Sequence, residues 1–404
     1  MRNLNEKRTT YIFAGTIAGA GCLVMIAFPA IALDSAQKGV SLWASSVLPA
    51  LLPFFICANF MIALGLPNII GKFFEKSFRA IFDAPGVSAF VFTISITSGY
   101  PMGAKLIGDM ARRKEISKMD AMKMLSFCST SGPLFMLGAV GAGMLGSPAA
   151  GAVIAGSHYL GALINGLLYR LFYGWKALLV GEQYHKSRKI TASKWKDCFE
   201  RAKEPSVLTG SLLDVFTDSI LSAFRALGII CGYIVLFTLI TDFIQFSGML
   251  NYIGTGYGKS LVKGFFEMTV GCNSVSSNID LSLALKCVVC SFLISWGGLS
   301  VFAQSMSMLA GLEISIGNYL MMKISHGILA AVLAWFMGPY ILDLDIASTG
   351  AFGQEELVRN LGFVYQLLFS TKMVIMVIII FVLTVALEKI MRKIHERFSD
   401  HSGV

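Results

Sequence analysis

Long stretches of chain with no charged residue set the first limit on what this sequence can fold into. Thr9 to Leu33 carries no charge at all. Lipid offers no water to bond a backbone, so a spanning segment must be a helix or part of a closed barrel. About 20 apolar residues are enough for a helix to cross the hydrocarbon layer. Runs of suitable length recur at Thr10–Leu33, Leu42–Leu64, Met124–Leu145, Ala150–Tyr169, Ile220–Thr241, Cys287–Leu309, Gly317–Ile341 and Lys372–Met391. Charged residues make up 14% of the chain, against roughly 25% in a soluble domain. The pattern predicts an all-α polytopic membrane protein. Met1–Leu33 has the basic start and apolar run of a secretory signal, but no small-x-small cleavage pattern follows, so it is read as a retained first span.

Two apolar stretches do not suit a simple lipid-facing helix. Ala84–Ala104 is interrupted by Gly86, Gly99, Pro101 and Gly103, and Gly264–Ile279 is short, rich in polar residues and carries Glu267. Both are expected to be helices that stop partway and turn back.

The net charge of +9 would suggest nucleic acid in a soluble protein. Here the basic residues lie in short runs between apolar stretches, where they set topology, and no nucleic-acid partner is expected. Arg2, Lys7 and Arg8 open the chain, Arg170–Lys203 carries nine Lys or Arg, and Lys389, Arg392, Lys393 and Arg397 close it. All three regions are expected on the cytoplasmic side. The linker divides the chain into 1–34, a first span; 41–172, a first repeat; 173–210, the basic linker; 211–341, a second repeat; and 354–392, an amphipathic segment with a last span.

The two halves are similar in outline. Ser157-His158 and Ser325-His326 open corresponding spans, 168 residues apart, and Gly103 and Gly271 stand at the same offset in the two broken stretches. Ser131-Gly132-Pro133-Leu134-Phe135 is similar to Gly298-Leu299-Ser300-Val301-Phe302. Residues 66–123 carry nine Lys or Arg, and the matching stretch 241–291 carries three. That asymmetry predicts opposed orientations, the mark of two inverted-topology repeats.

Four motifs carry a family resemblance: Leu51-Leu52-Pro53-Phe54-Phe55, Ser98-Gly99-Tyr100-Pro101-Met102-Gly103-Ala104-Lys105, Ser129-Thr130-Ser131-Gly132-Pro133-Leu134-Phe135 and His158-Tyr159-Leu160-Gly161. The chain resembles the Gate, or nucleoside-recognition, domain, and more closely the YlbJ-like sporulation integral membrane proteins. The resemblance implies re-entrant hairpins similar to those of concentrative nucleoside transporters. It also implies a role in sporulation, moving a small anion such as dipicolinate from the mother cell towards the forespore across the outer forespore membrane. An ion-coupled nucleoside-like carrier and a non-transporting scaffold for spore assembly remain open alternatives.

Broken helices present free N–H groups and dipole ends that favour an anion. Gly99, Pro101, Gly103 and Gly132 permit such breaks in the first half, and Gly271, Gly297 and Gly298 in the second. Ser98, Tyr100, Ser129, Thr130, Ser131, Asn273, Ser274, Ser276 and Ser300 are the candidate hydrogen-bonding groups, with close helix packing as their alternative role. Lys105 is the candidate counter-charge, with a surface location as its alternative. Glu267 is the candidate proton carrier or partner of Lys105, since an acid in apolar context is expensive, with a location at headgroup level as its alternative. Cys287 and Cys290 form a CxxC, but one with no second pair or nearby His, and are read as small apolar fillers. His158 and His326 are read as packing donors, and no metal or cofactor is expected. No phosphate-binding loop, nucleophile elbow or metalloprotease motif occurs, so no enzyme activity is expected. The expected partners are the bilayer and a small anion, with a homo-oligomer left open. Cysteine labelling in intact cells is expected to spare both termini and the linker, including native Cys198; labelling of the linker from outside would reverse the topology.

Overall fold

The computed structural model describes residues 2–180, 211–253 and 256–349, and every regular element among them is helical. The elements are α1 (Arg2–Ala27), α2 (Pro29–Leu42), a π-helical turn (Trp43–Val47), α3 (Leu48–Ala63), α4 (Leu66–Phe82), α5 (Val87–Ser98), α6 (Met102–Arg112) and α7 (Lys118–Leu125). A π-helical segment (Leu134–Met144) and α8 (Pro148–Val180) complete the first half. The second contains α9 (Leu212–Phe246), α10 (Gly256–Phe266), α11 (Met268–Ser276), α12 (Leu283–Trp296), α13 (Gly298–Met308) and α14 (Ile316–Thr349).

Among these residues, Pro148–Tyr173, Leu212–Phe246, Leu283–Met308 and Ile316–Leu342 are long and apolar enough to cross a membrane. Two bent pairs raise the number to six if each is one span. These four stretches correspond to the expected spans starting at Ala150, Ile220, Cys287 and Gly317. The third is interrupted at Gly297–Gly298, both at positive φ. Lys372–Met391 and most of the basic linker lie outside the described residues.

Two expected spans are corrected. Thr10–Leu33 is not one straight helix: the chain turns by 108° between Ala27 and Pro29. Pro29 lacks the N–H that would continue α1, and it opens α2 instead. Met124–Leu145 is not a helix throughout either. α7 ends at Leu125, and residues 126–132 run without helix until Pro133 opens the π-helical segment. The Ser-Thr-Ser-Gly-Pro sequence explains this, since such residues favour turns and local side-chain bonds over helix. Both expected breaks are present: α5 and α6 are separated by Gly99–Pro101, and α10 and α11 by Glu267.

α8 and α14 pack along each other, and α12 lies against both. α9 lies along α2 and α3. One apolar core gathers Phe55, Phe82, Phe90, Met102, Leu106 and Phe127, with Phe82 and Phe127 stacked at 4.3 Å between centroids. A second gathers Met136, Ile154, Cys272, Cys287, Cys290 and Leu293, so the CxxC cysteines are packed in apolar surroundings. At the α4–α5 bend of 86°, Asp83 adopts a left-handed conformation, and buried Lys123 pairs with its carboxylate and reaches its carbonyl at 3.2 Å.

α10 and α11 fold back against each other through glycines. A Cβ on Gly271 would strike the backbone of Gly264. Gly271→Leu is therefore expected to cost about 1–3 kcal/mol by overpacking. It should lower the thermal unfolding midpoint of the detergent-solubilised protein, and an unchanged midpoint would contradict this packing.

Candidate functional site

Three of the helix breaks converge on one cavity of about 170 Å³. Its polar wall comes from Thr97, Ser98, Gly99 and Tyr100 at the α5–α6 break, from Ser131 and Gly132 before the π-helical segment, and from Glu267 and Thr269 at the α10–α11 break. α13 adds Val301 and Gln304, while α2, α3 and α9 close the apolar side with Leu42, Leu51, Ile230 and Ile234. Gly99 has φ +81, and a Cβ on it would lie 2.5 Å from the amide nitrogen of Gly132. Glycine at this position lets two broken segments from distant parts of the first half touch.

Glu267 is buried, with 3% of its surface exposed. It is the N-cap of α11: its carboxylate accepts the Val270 N–H at 2.7 Å and the Thr269 hydroxyl at 3.2 Å. The positive end of α11 is thus already matched by a fixed acid, rather than left open for a solute as the sequence suggested. Gln304 is 3% exposed, lines the same cavity and accepts the Ser307 hydroxyl at its main-chain carbonyl.

Ser98, Gly99, Tyr100, Ser131, Gly132 and Glu267 are the expected site residues that meet at the cavity. The others have different roles. Pro101 precedes α6 as its N-cap. Gly103 packs against the Cys128 carbonyl. Ser129 Oγ bonds Tyr319 Oη at 2.9 Å, and Thr130 Oγ1 bonds Ser95 Oγ at 2.8 Å. Gly271 makes the α10–α11 contact. Asn273 is exposed, Ser274 bonds Ser260, and Ser276 bonds the Asn273 carbonyl. Gly297 and Gly298 form the α12–α13 break, and Ser300 Oγ is buried without a hydrogen-bond partner among the described residues.

Lys105 is the main correction. It neither lines the cavity nor pairs with Glu267. Its Nζ lies 2.9 Å from Asn59 Oδ1 and 3.1 Å from Asp109 Oδ2. The acid one helical turn along α6 satisfies it.

The buried cation near the cavity is Lys323 on α14, which sequence reasoning passed over. Its Nζ donates to Tyr100 Oη at 2.7 Å and to the Ser129 carbonyl at 3.3 Å. The signal was a lone lysine in Met-Met-Lys-Ile-Ser-His, inside an otherwise uncharged span. Around it lie two histidines. His158 Nε2 accepts the Ser131 N–H at 2.8 Å, so its Nδ1 carries the proton and donates to Ser295 Oγ at 2.7 Å. His326 Nε2 donates to the His158 carbonyl at 2.9 Å. Both act as packing donors, as their sequence context suggested.

This arrangement defines an integral membrane protein whose interrupted helices line a largely apolar cavity with one polar wall. No family model matches the chain, and no solved structure does. The sporulation integral membrane protein YlbJ of Bacillus subtilis (strain 168) is 31% identical over 329 residues, which cover 78% of this chain and 79% of that relative. The chain belongs to this family of sporulation integral membrane proteins.

His158 bridges two breaks through both ring nitrogens. His158→Leu leaves the Ser131 N–H and the Ser295 hydroxyl buried without it, at about 1–3 kcal/mol per unsatisfied group. A clear loss of thermal stability in detergent is expected, and parental stability would show that the bridge is dispensable.

Proposed function

We propose that this protein is a transporter or channel of sporulation that moves a small anion such as dipicolinate from the mother cell towards the forespore. The outer forespore membrane is its proposed location, with both termini cytoplasmic, and the role is transport without catalysis. One observation carries the reading: breaks from both halves of the chain meet at a single cavity lined by a buried carboxylate, Glu267, and a buried amide side chain, Gln304. A scaffold has no need to keep a buried carboxylate on the wall of a cavity. Transporters place solute sites where discontinuous helices meet, because only there do polar backbone and side chains face a cavity instead of lipid.

The inverted repeat proposed from the sequence also gains support. His158 and His326, 168 residues apart, are in contact, with ring centroids 4.7 Å apart. Equivalent residues of two repeats touch only where they lie beside the axis relating them. α8 and α14 then form the central pair, and the breaks on either side are the re-entrant elements.

Purified protein in proteoliposomes is expected to take up labelled dipicolinate faster than protein-free vesicles. Absence of flux for every anion tried would favour the scaffold. Glu267→Gln, at matched incorporation, is expected to flatten the dependence of flux on pH, because Glu267 is the one carboxyl on the cavity wall. A parental pH profile in this variant would exclude it as the proton carrier.

A further inference from the structure

Lys323 lies in the candidate span Ile316–Leu342 and is 1% exposed. An ammonium group has three donors, and two acceptors meet it here, the Tyr100 hydroxyl and the Ser129 carbonyl. The Tyr100 ring lies beneath it, 4.2 Å from Nζ to centroid. Two other buried lysines of the described residues each have an acid: Lys105 has Asp109, and Lys123 has Asp83. Lys323 forms no ion pair with a described carboxylate. Its ionisable neighbours are phenols and imidazoles, none of which supplies a negative charge in its hydrogen-bonded form.

The cavity has the opposite imbalance. Its one ionisable carboxyl is Glu267, which repels an anion when charged. A carboxylate held there needs a cation within reach, and Tyr100 is the cavity-lining residue that touches one. We propose that Lys323 is the fixed counter-charge of the solute site. Tyr100 covers it in the conformation described here, and a solute carboxylate takes the place of the phenol as its partner. A charge-assisted bond to carboxylate is stronger than one to a neutral hydroxyl, which gives the exchange its direction. This inference rests on the proposed transport of a small anion.

The test is dipicolinate flux against concentration in proteoliposomes for the parent, Lys323→Gln, Lys323→Arg and Tyr100→Phe. Lys323→Gln is expected to raise KM at least tenfold, and Lys323→Arg to recover part of that loss because it keeps the charge. Tyr100→Phe removes the competing acceptor and is expected to lower KM, a change that a purely structural lysine would not produce. If Lys323→Gln fails to accumulate, the Tyr100→Phe result decides, and a KM equal to or above the parent's overturns the proposal. Parental KM in Lys323→Gln overturns it as well, while leaving transport intact. Absence of flux in the parent itself overturns the transport reading and this inference together.

Discussion

A break in a helix surrounded by lipid releases backbone N–H and C=O groups that no water can take, and the rest of this structure depends on how those groups are satisfied. The stretch 126–132 is one such interruption, and α8 supplies much of its repair. His158 accepts the Ser131 N–H, Tyr159 donates to the Ser131 carbonyl at 3.1 Å, and Asn165 donates to the Ser126 carbonyl at 2.8 Å. At the α10–α11 break Glu267 takes the Val270 N–H, and Trp296 donates to the Phe265 carbonyl at 3.2 Å. Tyr100 serves the end of α12 through the Ile294 and Ser295 carbonyls. Polar side chains in this protein are therefore placed largely by the demands of broken backbone.

These repairs also hold the halves together. Tyr100 to Ile294, His158 to Ser295, Ser129 to Tyr319 and Asn165 to the Met322 carbonyl all join residues on opposite sides of the basic linker. Lipid tails are as apolar as leucine, so helices in a bilayer gain little from apolar burial against one another. Directional bonds and close glycine contacts fix the arrangement instead. The cavity is the space these constraints leave between break ends.

Much of the architecture was legible because lipid imposes a strong and local rule. Uncharged length identified the continuous spans, and glycine with proline identified the break at Gly99–Pro101. Pro29 was visible but underweighted against an uninterrupted apolar run. The passage at 126–132 was hidden because its residues are uncharged and mostly small, and hydropathy alone does not separate them from helix. The site was less legible. Ser129, Thr130 and Ser131 were recognised as polar, yet sequence cannot tell a hydroxyl facing a cavity from one bonded to Tyr319 or Ser95. Lys105 drew attention by following the motif, while Asp109, four residues on, already marked its partner. Lys323 had no such partner in its own helix.

Glu267 joins the chemistry of the cavity to the structure of the break. It caps α11 and lines the cavity with the same carboxyl group. An ionised carboxylate makes a stronger bond to the Val270 N–H than a neutral acid does, and its charge complements the helix terminus. Anything that neutralises it, whether a proton or a cation brought in beside a solute, weakens the cap. The segment so loosened is a short helix held against α10 at Gly264 and Gly271, where there is no side chain to interlock. Charge in the cavity and the position of α11 are thus coupled by one residue. The proposed transport of a solute through this cavity calls for that kind of link between occupancy and backbone, and a fully satisfied apolar core offers none.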